Sequence, residues 1–259
     1  MPRFERKHKK LGLRASPQGV QSLRFASFLG EPSILPTVPA IFGHYPQVSA
    51  WGMLGNDNVG DCTLAGAAHA VMLWNAAVGL QVKFAERDVL ADYSAVSGYT
   101  PTDPATDTGA DMLEVATFWK NVGVRDASGV RHHISADLSV DITRLDHVML
   151  GAYLFGCIGL GLDLPGDAED QFDSGKPWQL TGRKDSLGLH YVPLVGRNSL
   201  TNPLCVTWGR LHAMTPDFLA ARLRECVVYI SPEYVSKRTS LTPEQFDMTK
   251  LQTLLEEIG

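Results

Sequence analysis

The chain has 259 residues, 44% of them hydrophobic and 20% charged, with 24 Gly and 15 Pro. That composition suits a globular protein with a core and excludes disorder, collagen and coiled coil as descriptions of the whole. A formal net charge of −5 gives no global attraction to nucleic acid or to an acidic membrane, and no apolar run approaches the ~18 residues that span a bilayer.

The N-terminus carries Arg3, Arg6, Lys7, Lys9 and Lys10 against the single acid Glu5. No apolar core follows, so the stretch is not a secretory signal, and the expectation is a soluble, cytoplasmic protein. Pro32, Pro36, Pro39 and Pro46 then predict an extended segment over residues 1–45, laid across a core. The main domain is expected over residues 46–235 and a helical tail over 236–259.

Residues 62–78 are apolar nearly all round and rich in small side chains. They predict a buried central helix closed by Gly79. Further helices are expected over 86–96 and 111–121, separated by a Pro/Asp/Thr loop.

In the second half, the runs 158–162, 191–195, 204–207 and 226–230 are short, β-branched and bounded by turns, which predicts strands. Residues 198–203 connect two of them as a hairpin. Thr215-Pro216-Asp217 is an N-cap with Pro at the first helical position, predicting a helix over 217–225. Thr242-Pro243-Glu244-Gln245 repeats the pattern ahead of a terminal helix near 247–258. Helices first and a mostly antiparallel sheet second make the fold class α+β.

Cys157, Cys205 and Cys226 each sit in an apolar run and read as buried small hydrophobes. The spacing of Cys205, His212 and Cys226 matches no common zinc pattern, so neither a metal nor another cofactor is expected. Cys62 differs, because it closes the polar, Gly-rich stretch Gly55-Asn56-Asp57-Asn58-Val59-Gly60-Asp61 and opens a helix. The helix dipole and the free N–H groups of a first turn stabilise a thiolate. Asp61 reads as the N-cap of that helix.

A thiolate nucleophile also needs a base, usually His. His190 heads the apolar strand Tyr191-Val192-Pro193-Leu194-Val195, where a polar ring falls at a sheet end facing a cleft. His69, in mid-helix, reads as a core residue, and His132-His133 as a solvated loop.

In this order the motifs resemble those of the papain-like cysteine peptidases, especially bacterial and phage-borne relatives that lack a pro-segment. Asn56-Asp57-Asn58-Val59-Gly60-Asp61-Cys62-Thr63 stands where that family has Gln-Gly-x-x-Gly-x-Cys-x. Asp107-Thr108-Gly109 resembles its Asp-x-Gly segment. Leu189-His190-Tyr191-Val192-Pro193-Leu194-Val195-Gly196 is similar to its Gly-His-Ala-Val-x-x-Val-Gly strand, and Val206-Thr207-Trp208-Gly209 to its Asn-Ser-Trp-Gly.

The resemblance covers roughly residues 45–235 and implies Cys62 as nucleophile, His190 as general base and Asn56 as oxyanion donor. It places Asp107, Gly109 and Trp208 at the substrate cleft. The implied function is a thiol hydrolase cleaving a peptide or isopeptide bond of a peptide or protein substrate through an acyl-enzyme.

Two departures matter. Val206 replaces the Asn that orients the histidine, leaving Thr207, Asn198, Asn202 or Asp185 as substitutes, and Asp61 puts a negative charge beside the thiol. They keep open a second reading, a catalytically silent papain-fold component of an assembly such as a phage virion. The basic arm would then tie the chain into a homo-oligomer or larger assembly. A nucleic-acid partner is disfavoured, since the remaining chain is acidic and only Phe4 interleaves the arm's cations.

Overall fold

The structure is a computed structural model that describes residues 9–17, 23–29, 35–235 and 241–247. After a two-residue strand β1 (Leu23–Arg24) and a single turn α1 (Phe25–Phe28), the chain runs irregularly to the long helix α2 (Cys62–Ala77). Helices α3 (Glu86–Ser97) and α4 (Met112–Asn121) follow. A two-stranded hairpin of β2 (Val124–Arg125) and β3 (Arg131–His132) leads to β4 (Ala136–Ser139). The second half contains α5 (Leu145–Phe155), β5 (Ile158–Leu164), α6 (Ala168–Asp173), β6 (Gly188–Arg197), β7 (Pro203–Thr207), β8 (Arg210–Ala213), α7 (Pro216–Arg222) and β9 (Leu223–Ile230).

Seven strands form one sheet in the order β1-β4-β9-β5-β6-β7-β8, antiparallel except for the β1–β4 pair. A helical half packed on a mostly antiparallel sheet is the expected α+β arrangement.

Every residue of α2 except Ala77 is buried, which is why its sequence is apolar on all sides. The helix lies against β6, and Gly66 permits that approach: a Cβ there would fall 2.2 Å from the Tyr191 ring. Trp74, stacked on Trp119 with ring centroids 5.5 Å apart, anchors the core on this side. On the other side α5 and α7 cover the sheet with Phe155 and Phe218. The Trp74 indole N–H donates to the Phe155 carbonyl at 2.8 Å and links the two layers.

Several boundaries differ from expectation. The helix predicted over 217–225 ends at Arg222, because Leu223 turns extended and residues 223–225 pair with β5. The apolar stretch that becomes α5 carries no strong cap and was not predicted as a helix. Thr242 starts a turn, closed by Gln245 N–H to the Thr242 carbonyl at 2.9 Å, rather than a helix. The terminal helix expected near 247–258 lies outside the described residues but for its first residue.

Candidate active site

Cys62 is the first residue of α2, and the site is built around its sulfur. Tyr191, next to His190 on β6, donates its backbone N–H to Cys62 Sγ at 3.5 Å, so the helix start meets the strand that carries the histidine. The His190 ring is fully buried and stacks on Trp208, with centroids 4.9 Å apart and planes 23° from parallel. Its Nε2 lies 2.8 Å from Thr207 Oγ1.

Of the four substitutes for the missing Asn, the structure brings Thr207 to His190. Asn198 instead accepts backbone N–H groups of its own turn, and Asp185 pairs with Arg183. Trp208 and Gly209 form the two-residue turn between β7 and β8, with φ of +43° and +76°. Such a left-handed turn suits Gly and is uncommon for Trp, and it holds the indole over the imidazole.

Asn56, Cys62, Thr207 and Trp208 line one crevice, which has no room for a water molecule. The Asn56 amide donates to Asp61 Oδ1 at 3.1 Å and so is turned to Asp61. That corrects the expected role of Asp61, whose side chain makes no hydrogen bond to the first turn of α2. Its backbone carbonyl accepts from Leu64 and Ala65, while its carboxyl is buried against Asn56, and burial holds it well above the usual carboxylate range. Asp61 Oδ2, His190 Nδ1 and Trp208 Nε1 have no hydrogen-bond partner among the described residues.

Residues 9–14 cover Cys62 from another side, with Gly12 against its sulfur. Gly12 O accepts from Ala110 N–H at 3.0 Å, Arg14 N–H donates to Ala110 O at 3.1 Å, and Leu13 N–H donates to Leu189 O at 3.3 Å. The segment thus lies in the cleft as a short strand, running parallel to the backbone at Ala110. A Cβ at Gly12 would fall 1.8 Å from the Gly60 carbonyl, and one at Gly109 would fall 2.2 Å from Gly12 O. Only glycine lets the chain pass between the two loops over Cys62.

Asp107 joins those loops. Both its oxygens accept from Gly60 N–H, at 3.0 and 3.1 Å, and Tyr93 OH donates to it at 2.7 Å while accepting from Gly109 N–H at 2.9 Å. Asp107 and Gly109 therefore flank the 9–14 segment, Asp107 at Lys10 and Gly109 at Gly12. Tyr93 was invisible to sequence reasoning, because nothing local ties a helical Tyr to a loop 14 residues on.

Burial reverses the expected electrostatics. Cys62 is 2% exposed, and desolvation pushes its thiol up to about 12, although backbone hydrogen bonds from Tyr191 and Gly12 oppose this. Desolvation likewise pushes His190 down to about 3. With the segment in place the pair is a neutral thiol and a neutral imidazole, and the helix dipole does not prevail.

Cys157, Cys205 and Cys226 are buried, as expected, and His69 is a buried residue too, lining the same crevice as Cys62 with its Nε2 3.0 Å from the Gly52 carbonyl. His132 is corrected: it is buried, not solvated, with Nδ1 2.7 Å from Glu233 Oε1 and Nε2 3.3 Å from Asp126 Oδ2. His133 is exposed.

No family model and no curated protein matches the sequence. Solved structures do match. The chain is similar to xylellain, a cysteine protease from Xylella fastidiosa, at 13% identity and a TM-score of 0.66, over 88% of this chain and 98% of that one. It is similar to procathepsin B S9 from Trypanosoma congolense at 11% identity and a TM-score of 0.58, over 85% and 86% of the two chains. The Carica candamarcensis cysteine protease CMS1MS2, solved in complex with E-64, matches at 12% identity and a TM-score of 0.52, over 75% and 99%. The chain has the fold of the papain-like cysteine peptidases.

Proposed function

We propose that the protein is a thiol hydrolase acting on a peptide or isopeptide bond, held latent by its own residues 9–14. The observation that carries this reading is the segment itself, an extended peptide hydrogen-bonded to both walls of a cleft and seated at Gly12 over Cys62.

With the segment displaced, water reaches Cys62 and His190 and the desolvation that keeps both neutral is relieved. Cys62 Sγ then passes its proton to His190 and adds to the substrate carbonyl. His190 returns the proton to the leaving amine, and water releases the acyl group from sulfur. Thr207 holds the far nitrogen of the ring. The Cys62 backbone N–H and the Asn56 amide, freed from Asp61, would donate to the oxyanion; each such donor is worth ~10²-fold or more in rate.

A second reading is a silent papain-fold component of an assembly, a virion among the possibilities. The neutral Cys62–His190 pair and the engagement of Asn56 with Asp61 favour it.

Alkylation by iodoacetamide from about pH 4 to 9 separates the two. In the wild-type chain Cys62 is expected to react slowly throughout. In Gly12→Ala, where a methyl cannot pass Gly60, reaction is expected at least about 10-fold faster at pH 7, with an onset well below the ordinary thiol range of ~8.5. Adding His190→Ala should remove that low-pH reaction. If the Gly12 variant labels no faster, or labels identically without His190, the silent reading replaces the hydrolase.

A further inference from the structure

His69 stands about two turns beyond Cys62 on α2, and Cys62, Ala65, Gly66 and His69 line the same crevice at the spacing of a single helix face. Its Nε2 meets the Gly52 carbonyl at 3.0 Å, so that nitrogen carries a hydrogen and donates it. Burial pushes the ring down to about 4, against the opposing pull of the Gly52 and Trp51 carbonyls. At neutral pH the imidazole is therefore uncharged and has one N–H, directed at the backbone of a loop rather than at its own helix. Trp51 closes over the ring edge-on, with centroids 5.8 Å apart.

That loop joins the two sides of the site. Gly52 pairs antiparallel with Gly209, and a Cβ at Gly209 would fall 3.1 Å from the Met53 nitrogen. The Trp208-Gly209 turn thus rests directly on residues 52–53, and this turn carries the indole stacked on His190. On the other side, the Met53 carbonyl accepts the Asn56 N–H at 3.2 Å. Gly52, Leu54 and Gly55 have φ of +75°, +59° and +95°. A leucine in the left-handed region persists only where its surroundings enforce it. The hydrogen bond from His69 supplies one such restraint, tying the loop to the middle of α2.

We infer that His69 is a positioning residue of the hydrolase, which through the Gly52 carbonyl fixes the turn that seats Trp208 over His190. The inference rests on Cys62 and His190 being the reacting pair. The role requires a donor at this place and not merely a filled volume. His69→Gln presents an amide N–H from a side chain of similar reach, whereas His69→Leu occupies the space and offers Gly52 nothing.

The test uses the full-length chain carrying Gly12→Ala. Iodoacetamide alkylation of Cys62 is followed by mass spectrometry at about pH 6, where a thiolate exists only as the ion pair with His190, and at about pH 9.5, where the thiol ionises unaided. The ratio of the two rates is internal to each protein, so a change in access to the sulfur cancels. Alkylation forms no oxyanion and therefore isolates the His190 side of the loop from the Asn56 side. His69→Leu is expected to lower the pH 6 to pH 9.5 ratio about 5-fold, as loss of one hydrogen bond would, and His69→Gln to keep it within about 2-fold. In a Trp208→Phe background the further loss from His69→Leu should stay within about 2-fold, because both changes act on one contact.

A ratio unmoved by His69→Leu, beside rapid labelling of the Gly12→Ala parent at pH 6, makes His69 a core residue and leaves the hydrolase standing. Equal losses in His69→Leu and His69→Gln overturn the tie to Gly52, and a full additional loss in the Trp208→Phe background overturns the route through Trp208. No low-pH labelling in the parent removes the hydrolase reading, and this inference with it. Should His69→Leu not fold, His69→Asn takes its place, since its shorter amide stays polar but does not reach Gly52, and the same loss relative to His69→Gln is expected.

Discussion

His132 and His190 are both buried, yet the fold treats them in opposite ways. His132 lies between Asp126 and Glu233, and although burial opposes its charge, the two carboxylates raise its pKa above the ordinary histidine value. His190 touches a hydroxyl and an indole but no acid, and burial pushes it down to about 3. Protonation in this interior is therefore set by neighbours rather than by depth. His132 fastens the β2–β3 hairpin to the chain beyond β9 through Glu233, and the lowered pKa of His190 leaves its ring an unprotonated base.

The contrast breaks most visibly at His132. His132→Leu leaves Asp126 and Glu233 without their cation and is expected to cost about 2–3 kcal/mol near pH 6 by urea denaturation. Because the folded pKa is raised, the contribution is fully present below the unfolded value of ~6.5 and fades as pH rises through the folded one. The mutant and wild-type curves should converge in alkaline solution. A constant gap from pH 6 to 9 would mean that His132 is neutral in the native state.

His190 has the reverse linkage. The native ring stays neutral while the unfolded ring takes a proton below ~6.5, so stability falls with pH from there towards about 3. Thr207→Val removes the one hydroxyl that fixes His190 Nε2. In the Gly12→Ala chain it is expected to slow Cys62 alkylation at pH 7 about 5- to 10-fold, the worth of one hydrogen bond of ~1 kcal/mol. Thr207→Ser should restore most of the rate. An unchanged rate in Thr207→Val would leave the orientation of His190 to Trp208 alone.

Much of the fold was readable because its signals are local. Small apolar residues all round 62–78 announced α2, and the Thr215-Pro216 cap announced α7. Cys62, His190 and the Trp208-Gly209 turn stood in recognisable surroundings. The rest depends on partners far along the chain. His132 looked solvated because Glu233 is 101 residues away, and Asp61 looked like a cap because Asn56 claims its carboxyl only in the folded turn. Thr207 was one of four substitutes until the strands paired. The basic arm read as a segment laid across the core with no named partners, because Asp107, Glu114 and Asp173 meet it only in the folded chain.

The smallest effect sharpens the comparison by asking what a charge pair is worth outside the core. Arg14 and Glu114 are 43% and 46% exposed, unlike His132 and its acids, so water screens them and two flexible side chains must be ordered to meet. Glu114→Gln should loosen the segment by no more than about 0.5 kcal/mol, read as a roughly two-fold faster alkylation of Cys62 in an otherwise wild-type chain. The gain should vanish at about 0.5 M salt, where the wild-type pair is already screened. Backbone hydrogen bonds at Ala110 and Leu189 then hold the segment. A ten-fold gain would instead make the rim charges the latch, and ionic strength alone would then open the cleft.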